Sequence, residues 1–94
     1  MYKFIFPINN YNLELLKKQT RKRKPITEEV EIYISIYQNR IRVVDYKTVV
    51  EKTIKLLLKS FIKSKNKIIK ISVEKYKKER GSKERMEIEV LELE

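Results

Sequence analysis

Residues 30–37 read Val-Glu-Ile-Tyr-Ile-Ser-Ile-Tyr, and no other feature of the 94-residue chain restricts its fold so tightly. In an extended backbone Val30, Ile32, Ile34 and Ile36 point one way, and Glu31, Tyr33, Ser35 and Tyr37 the other. The β-branched and aromatic content suits a pleated strand and resists a helix. One face must therefore be buried, and the rest of the chain has to supply both sheet neighbours and a covering layer.

The flanking sequence supplies both. Residues 2–6 alternate as a first strand with Tyr2, Phe4 and Phe6 expected in the core. Pro7 and Asn9-Asn10 end it. Asn10 is expected to cap a helix that carries Leu13 and Leu16, with Gln19 on the same stripe, and Pro25 stops further helix. After residue 37, Asn39-Arg40 reads as a tight turn into a strand over 41–46, which would set Ile36 opposite Val43 and Tyr37 opposite Arg42. Thr48 and Glu51 form a capping-box pattern for a helix to about Ser64. Val50, Ile54, Leu57, Leu58 and Phe61 are its expected buried face, and Lys52, Lys55, Lys59 and Lys63 its wet face. A strand over 68–76 follows, with Ile69, Ile71 and Val73 on one side. The Gly81-Ser82 turn leads to a last strand over 86–93, alternating Met86, Ile88 and Val90 against Glu87, Glu89 and Leu91. Two registers between these last strands stay open: Lys75 with Glu87 and Ile71 with Leu91, or Val73 with Val90.

The expected order is βαββαβ plus a C-terminal strand: a single α+β domain spanning 1–94, with a mainly antiparallel sheet and two helices on one face. This order resembles the ferredoxin-like layout, a resemblance of topology alone. RNA-recognition motifs and some ribosomal proteins share that layout. The segment Ile41-Arg42-Val43-Val44-Asp45-Tyr46 lacks the glycines and paired aromatics of the RNA-recognition signature, so no family residue is carried over.

Composition narrows the chemistry. There is no cysteine and no histidine, which removes disulfides, thiolates, the usual general base and nearly all zinc sites. Asp45 is the sole aspartate, so clustered aspartates for two-metal chemistry are missing. The carboxylates Glu28, Glu29 and Glu31 read as a solvated strand start, and those at Glu87, Glu89, Glu92 and Glu94 as neutralising lysines on a neighbouring strand. No cofactor or metal is expected. Lys, Arg, Tyr and Glu suffice for the metal-independent cleavage seen in small RNA-degrading toxins, though the order of elements differs from that fold. No apolar run is long enough for a membrane span or a signal segment, which suits a cytoplasmic protein. Abundant Lys, Glu and Ile with a single glycine resembles thermophile composition and equally follows from AT-rich codons.

Charge is the strongest functional signal. Lys and Arg total 23 against 13 acids, a net +10. The excess is clustered. Lys17, Lys18, Arg21, Lys22, Arg23 and Lys24 form a run without an acid, and lysines alone carry charge between Lys52 and Lys70. Such clusters bind phosphate backbones by releasing counterions. The expected function is non-catalytic binding of DNA or RNA. The 17–24 run is the main clamp, Arg40 and Arg42 assist, and Tyr33 and Tyr37 are stacking platforms. The tyrosine face has a second use, burial in a homodimer. An acidic protein partner is an alternative ligand for the same lysines, in an assembly module of the kind mobile genetic elements encode.

Overall fold

A computed structural model describes residues 2–8, 11–20, 24–39 and 45–93. Its elements are β1 (Tyr2–Phe6), α1 (Leu13–Thr20), β2 (Val30–Gln38), α2 (Tyr46–Ser60), β3 (Ile68–Lys77) and β4 (Arg85–Glu92), with one 3-10 turn at Lys65–Lys67 before β3. The class is α+β: a four-stranded mixed sheet with two helices, in the sheet order β1-β4-β2-β3.

The alternating strand behaves as its pattern requires. Val30, Ile32, Ile34 and Ile36 are buried and the residues between them half-buried. Its neighbours differ from expectation. β2 runs antiparallel to β4, with Ile34 opposite Ile88, and parallel to β3, with Ile34 opposite Val73. Both edges of β2 are thereby filled. Ile36 sits between Met86 and Lys75, and Tyr37 between Arg85 and Tyr76, so neither can take Val43 or Arg42 as a hairpin partner. Residues 40–44 of that expected hairpin lie outside the described residues. Tyr46, expected to end a strand, is the first residue of α2.

The last strand is also relocated. β4 does not pair with β3 in either expected register. It crosses the end of β2 and inserts between β1 and β2, antiparallel to both. The connection over 78–84 is fastened to the end it crosses. The Lys78 amide donates to the Gln38 carbonyl (2.9 Å), and the Asn39 amide donates to the Glu84 carboxylate (2.8 Å). Insertion matches apolar faces: Phe4 lies opposite Ile88 and Phe6 opposite Met86. A place beside β3 would have left β1 without a partner and its backbone groups unpaired.

Helix starts are set by different residues than the sequence suggested. The α1 cap is Asn12, whose Oδ1 accepts from the Glu14 amide (2.8 Å), while Asn10 lies outside the described residues. The α2 cap is Asp45, one turn ahead of Thr48. Its carboxylate accepts from the Thr48 amide (3.2 Å) and hydroxyl (2.7 Å). A carboxylate caps at least as well as a hydroxyl, and it suits the positive end of the helix dipole. α2 ends at Ser60, and Phe61 closes it. Its buried line runs through Val49, Thr53, Leu56 and Leu57, one residue round from the expected line through Val50, Ile54 and Leu58. The runs Val49-Val50 and Leu56-Leu57-Leu58 permit either line; packing chooses.

Both helices share one core with one sheet face. Leu16, Val49, Leu56, Leu57, Phe61 and Ile62 join Phe4, Phe6, the β2 residues, Met86, Ile88 and Val90. The rings of Phe4 and Phe61 meet edge-on at 4.8 Å. Ile71 and Val73 pack at the rim of this core. Ile69 does not join them. A register shift between Val30 and Glu31 leaves it as a bulge on β3, and it is 50% exposed.

Candidate functional site

The two faces of the sheet carry different chemistry. On the helix side, α2 turns Val49, Thr53 and Leu56 inward and so turns Lys52, Lys55 and Lys59 outward, at spacings of three and four that share one helix face. Tyr11, half-buried ahead of α1, stands beside them. The Lys52 ammonium lies 5.8 Å from the Tyr11 ring centre. Tyr11, Lys52, Lys55, Leu56 and Lys59 line a pocket of about 180 Å³. Burial pushes the Tyr11 hydroxyl above its ordinary pKa, partly offset by a hydrogen bond with the Thr53 side chain.

Among the described residues, no carboxylate lies within ion-pair distance of these lysines. The ion pairs found join Lys3 to Glu87 (2.8 Å) and Arg85 to Glu87 (2.7 Å), both on the opposite side of the sheet. Lys17 and Lys18 are exposed in the last turn of α1, which packs on α2. Lys24 is exposed two residues before an anchored point. The Ile26 amide donates to the Phe61 carbonyl (2.7 Å), and the Lys63 amide donates to the Ile26 carbonyl (3.0 Å). That bridge ties the exit of the basic run to the end of α2, near Lys59 and Lys63. None of Lys17, Lys18 and Lys24 is pinned by the described carboxylates at 28–31 or 87–93. Arg21, Lys22, Arg23, Arg40 and Arg42 lie outside the described residues.

The open face of the sheet holds Tyr33 and Tyr37 in different company. Tyr37 stacks on Tyr76 at 5.2 Å, and the Arg85 guanidinium lies 4.1 Å from the Tyr37 ring centre. Lys70 stands 5.4 Å from the Tyr33 ring, and the Tyr33 hydroxyl donates to Glu31 (3.0 Å). A shallow depression of about 320 Å³ runs between Tyr33, Ser35, Tyr37, Ser72, Tyr76, Glu74 and Glu89. Glu87 is 6% exposed and sits between Lys3 and Arg85. Burial raises its pKa, but the hydrogen bonds from Lys3 and Arg85 outweigh that and leave the carboxyl below its ordinary value. Glu31, Glu74, Glu87 and Glu89 outnumber Lys3, Lys70 and Arg85 here.

The residues singled out from sequence are therefore divided. Lys17, Lys18 and Lys24 fall on the helix side, while Tyr33 and Tyr37 lie on the other side among carboxylates. Tyr46 lies on α2, 6.0 Å from the Lys75 ammonium. Sequence reasoning missed Tyr11 as the wall of the lysine pocket. Tyr11 and Lys52 are far apart in sequence, and no local periodicity links them. Among the described residues, no group of three or more acidic, histidine or cysteine side chains is placed to hold a metal ion, and no helix is long and apolar enough to cross a membrane. No protein-family model matches the chain, and no curated protein matches it in sequence.

Proposed function

We propose that the protein binds nucleic acid through its helix layer, with phosphates held by Lys52, Lys55 and Lys59 around the Tyr11 pocket and by Lys17, Lys18 and Lys24 beside it. Arg21, Lys22 and Arg23 belong to this reading by sequence alone. The observation that carries it is the lysine trio: Lys52, Lys55 and Lys59 line one concave site without a described carboxylate in ion-pair contact with them. Bringing like charges together costs free energy in the unbound state, and a phosphate relieves it. The Tyr11 ring, beside Lys52, forms one wall of the same site. Tyr33 and Tyr37 have no part in the grip in this reading, because the sheet separates them from Lys52, Lys55 and Lys59.

Fluorescence anisotropy with matched DNA and RNA oligonucleotides, single- and double-stranded, tests this across a salt series of about 50–200 mM. The Lys52→Glu/Lys55→Glu/Lys59→Glu variant is expected to bind more weakly. Its log K against log salt slope on duplex DNA should fall by roughly 2–3 if each lysine meets one phosphate. The Tyr33→Ala/Tyr37→Ala variant is expected to bind like the parent. Equal affinity and slope for the lysine variant, with circular dichroism showing it folded, overturns the assignment. An acidic protein held by the same lysines would show itself in complexes that survive nuclease treatment.

A further inference from the structure

We propose that the outer edge of β3 pairs with the same edge of a second copy of this chain, antiparallel about a two-fold axis at Ser72, joining two four-stranded sheets into one.

The two edges of the sheet are treated differently. At β1 the Gln19 side chain imitates a neighbouring strand: its Oε1 accepts from the Ile5 amide (2.9 Å) and its Nε2 donates to the Ile5 carbonyl (3.1 Å). That closes a five-residue edge strand near its C-terminal end. β3 is twice as long at 10 residues, has neither proline nor glycine, and among the described residues pairs with β2 alone. Among the described residues, no side chain hydrogen-bonds to the backbone of 70–74. An edge this long and open is a template for another strand.

Its side chains select both the partner and the register. Residues directly opposite in an antiparallel ladder share a face, so two copies of one strand must centre on a residue. Centred on Ser72, Lys70 of each copy faces Glu74 of the other, twice per interface, on the open side of the sheet. Ile71 faces Val73 on the core side, where both are half-buried at the rim. Centring on Val73 sets Lys70 against Tyr76. Centring on Glu74 or Lys70 opposes like charges. The Ser72 register also uses two large apolar side chains that the sheet leaves exposed, Ile69 at 50% and Tyr76 at 43%. They lie towards opposite ends of β3. The two-fold axis brings Tyr76 of one copy alongside Ile68 and the bulged Ile69 of the other. Lysines on an edge normally discourage pairing; here Lys70 meets its own countercharge.

The axis stands normal to the sheet, so both helix layers come to the same side. The test needs no nucleic acid and is independent of the function proposed above. Sedimentation equilibrium of the full chain should show a dimer at concentrations up to roughly 100 µM. Lys70→Glu and Glu74→Lys each replace two attractive cross-strand pairs with two repulsive ones. Each is expected to weaken dimerisation roughly 10- to 100-fold while circular dichroism stays unchanged. The double variant Lys70→Glu/Glu74→Lys restores the pairs and the dimer. An equimolar mixture of the two single variants forms a heterodimer, since each supplies what the other lacks. A monomeric parent, a dimer indifferent to either single change, or a double variant that fails to recover overturns the proposal.

Discussion

Glu87 is the residue on which acid stability turns. It is nearly buried on the open side of the sheet and accepts from both Lys3 and Arg85. Its carboxyl titrates below the ordinary glutamate value in the folded chain, so the unfolded state binds the proton first. Its stabilisation is complete above the unfolded pKa of about 4.3 and is lost as pH falls through the depressed folded value. On the alkaline side the hydrogen bond to Glu87 holds Lys3 above its ordinary 10.5. That contribution is present below 10.5 and disappears as pH rises through the raised value. Glu87→Gln should cost about 1–2 kcal/mol at pH 7, a modest figure because Lys3 stays half exposed. The penalty should shrink towards pH 3, and urea denaturation at both pH values measures it. Gly81 is a second sensitive position. Its φ of 84° closes the turn in which the Ser82 amide donates to the Glu79 carbonyl (3.1 Å). A Cβ there meets nothing within 4 Å, so Gly81→Ala is penalised by backbone strain alone, about 1–2 kcal/mol by thermal melting.

Among the elements, β2 and β1 show how far local pattern reaches. The alternation of Val30 to Tyr37 specified the buried face of β2, and the alternations at Phe4, Phe6, Met86, Ile88 and Val90 did the same for β1 and β4. Period-2 patterning is a property of one strand, so it was legible. Which strand lies beside which was not, because β2 presents the same apolar face to either candidate neighbour. The Asn39-Arg40 pair looked like a hairpin turn by local chemistry, yet Asp45 with Thr48 starts a helix that competes for the same stretch. A helix between β2 and β3 makes them parallel neighbours. Gln19 is the element-scale surprise. It read as part of an apolar stripe and instead seals the outer edge of β1. Gln19→Ala should raise the hydrogen-exchange rate of the Ile5 amide roughly tenfold, equivalent to about 1 kcal/mol. The Phe4 and Phe6 amides, which face β4, should keep their protection. Equal acceleration at all three would mean that β1 is released as a whole rather than at its edge.

At the scale of the molecule, the sheet divides the charge. Lys52, Lys55 and Lys59 gather over the helix layer, and Glu31, Glu74, Glu87 and Glu89 lie on the opposite face, where Glu87 pairs with Lys3 and Arg85. A net charge of +10 distributed this way leaves one side more positive than the average composition suggests. Binding to a polyanion should therefore be oriented, with the tyrosine face left accessible. Dimerisation through β3 would double the lysine surface on one side, so the salt slope per protomer should hold while affinity for long nucleic acid rises through bivalency. Comparing short and long duplexes for the parent and for Lys70→Glu checks this: the variant should lose the length-dependent gain and keep the slope.

The order of residues alone determined the buried faces of β1, β2 and β4 and the density of positive charge. Both follow from side-chain chemistry repeated at short sequence intervals. Tertiary structure alone decided that β4 enters between β1 and β2, that Tyr11 reaches Lys52, and that the tyrosines and lysines part company. Each of these depends on distant segments competing for the same apolar face and the same backbone partners. That competition is settled by the total burial and hydrogen bonding of the folded chain, which no local stretch encodes.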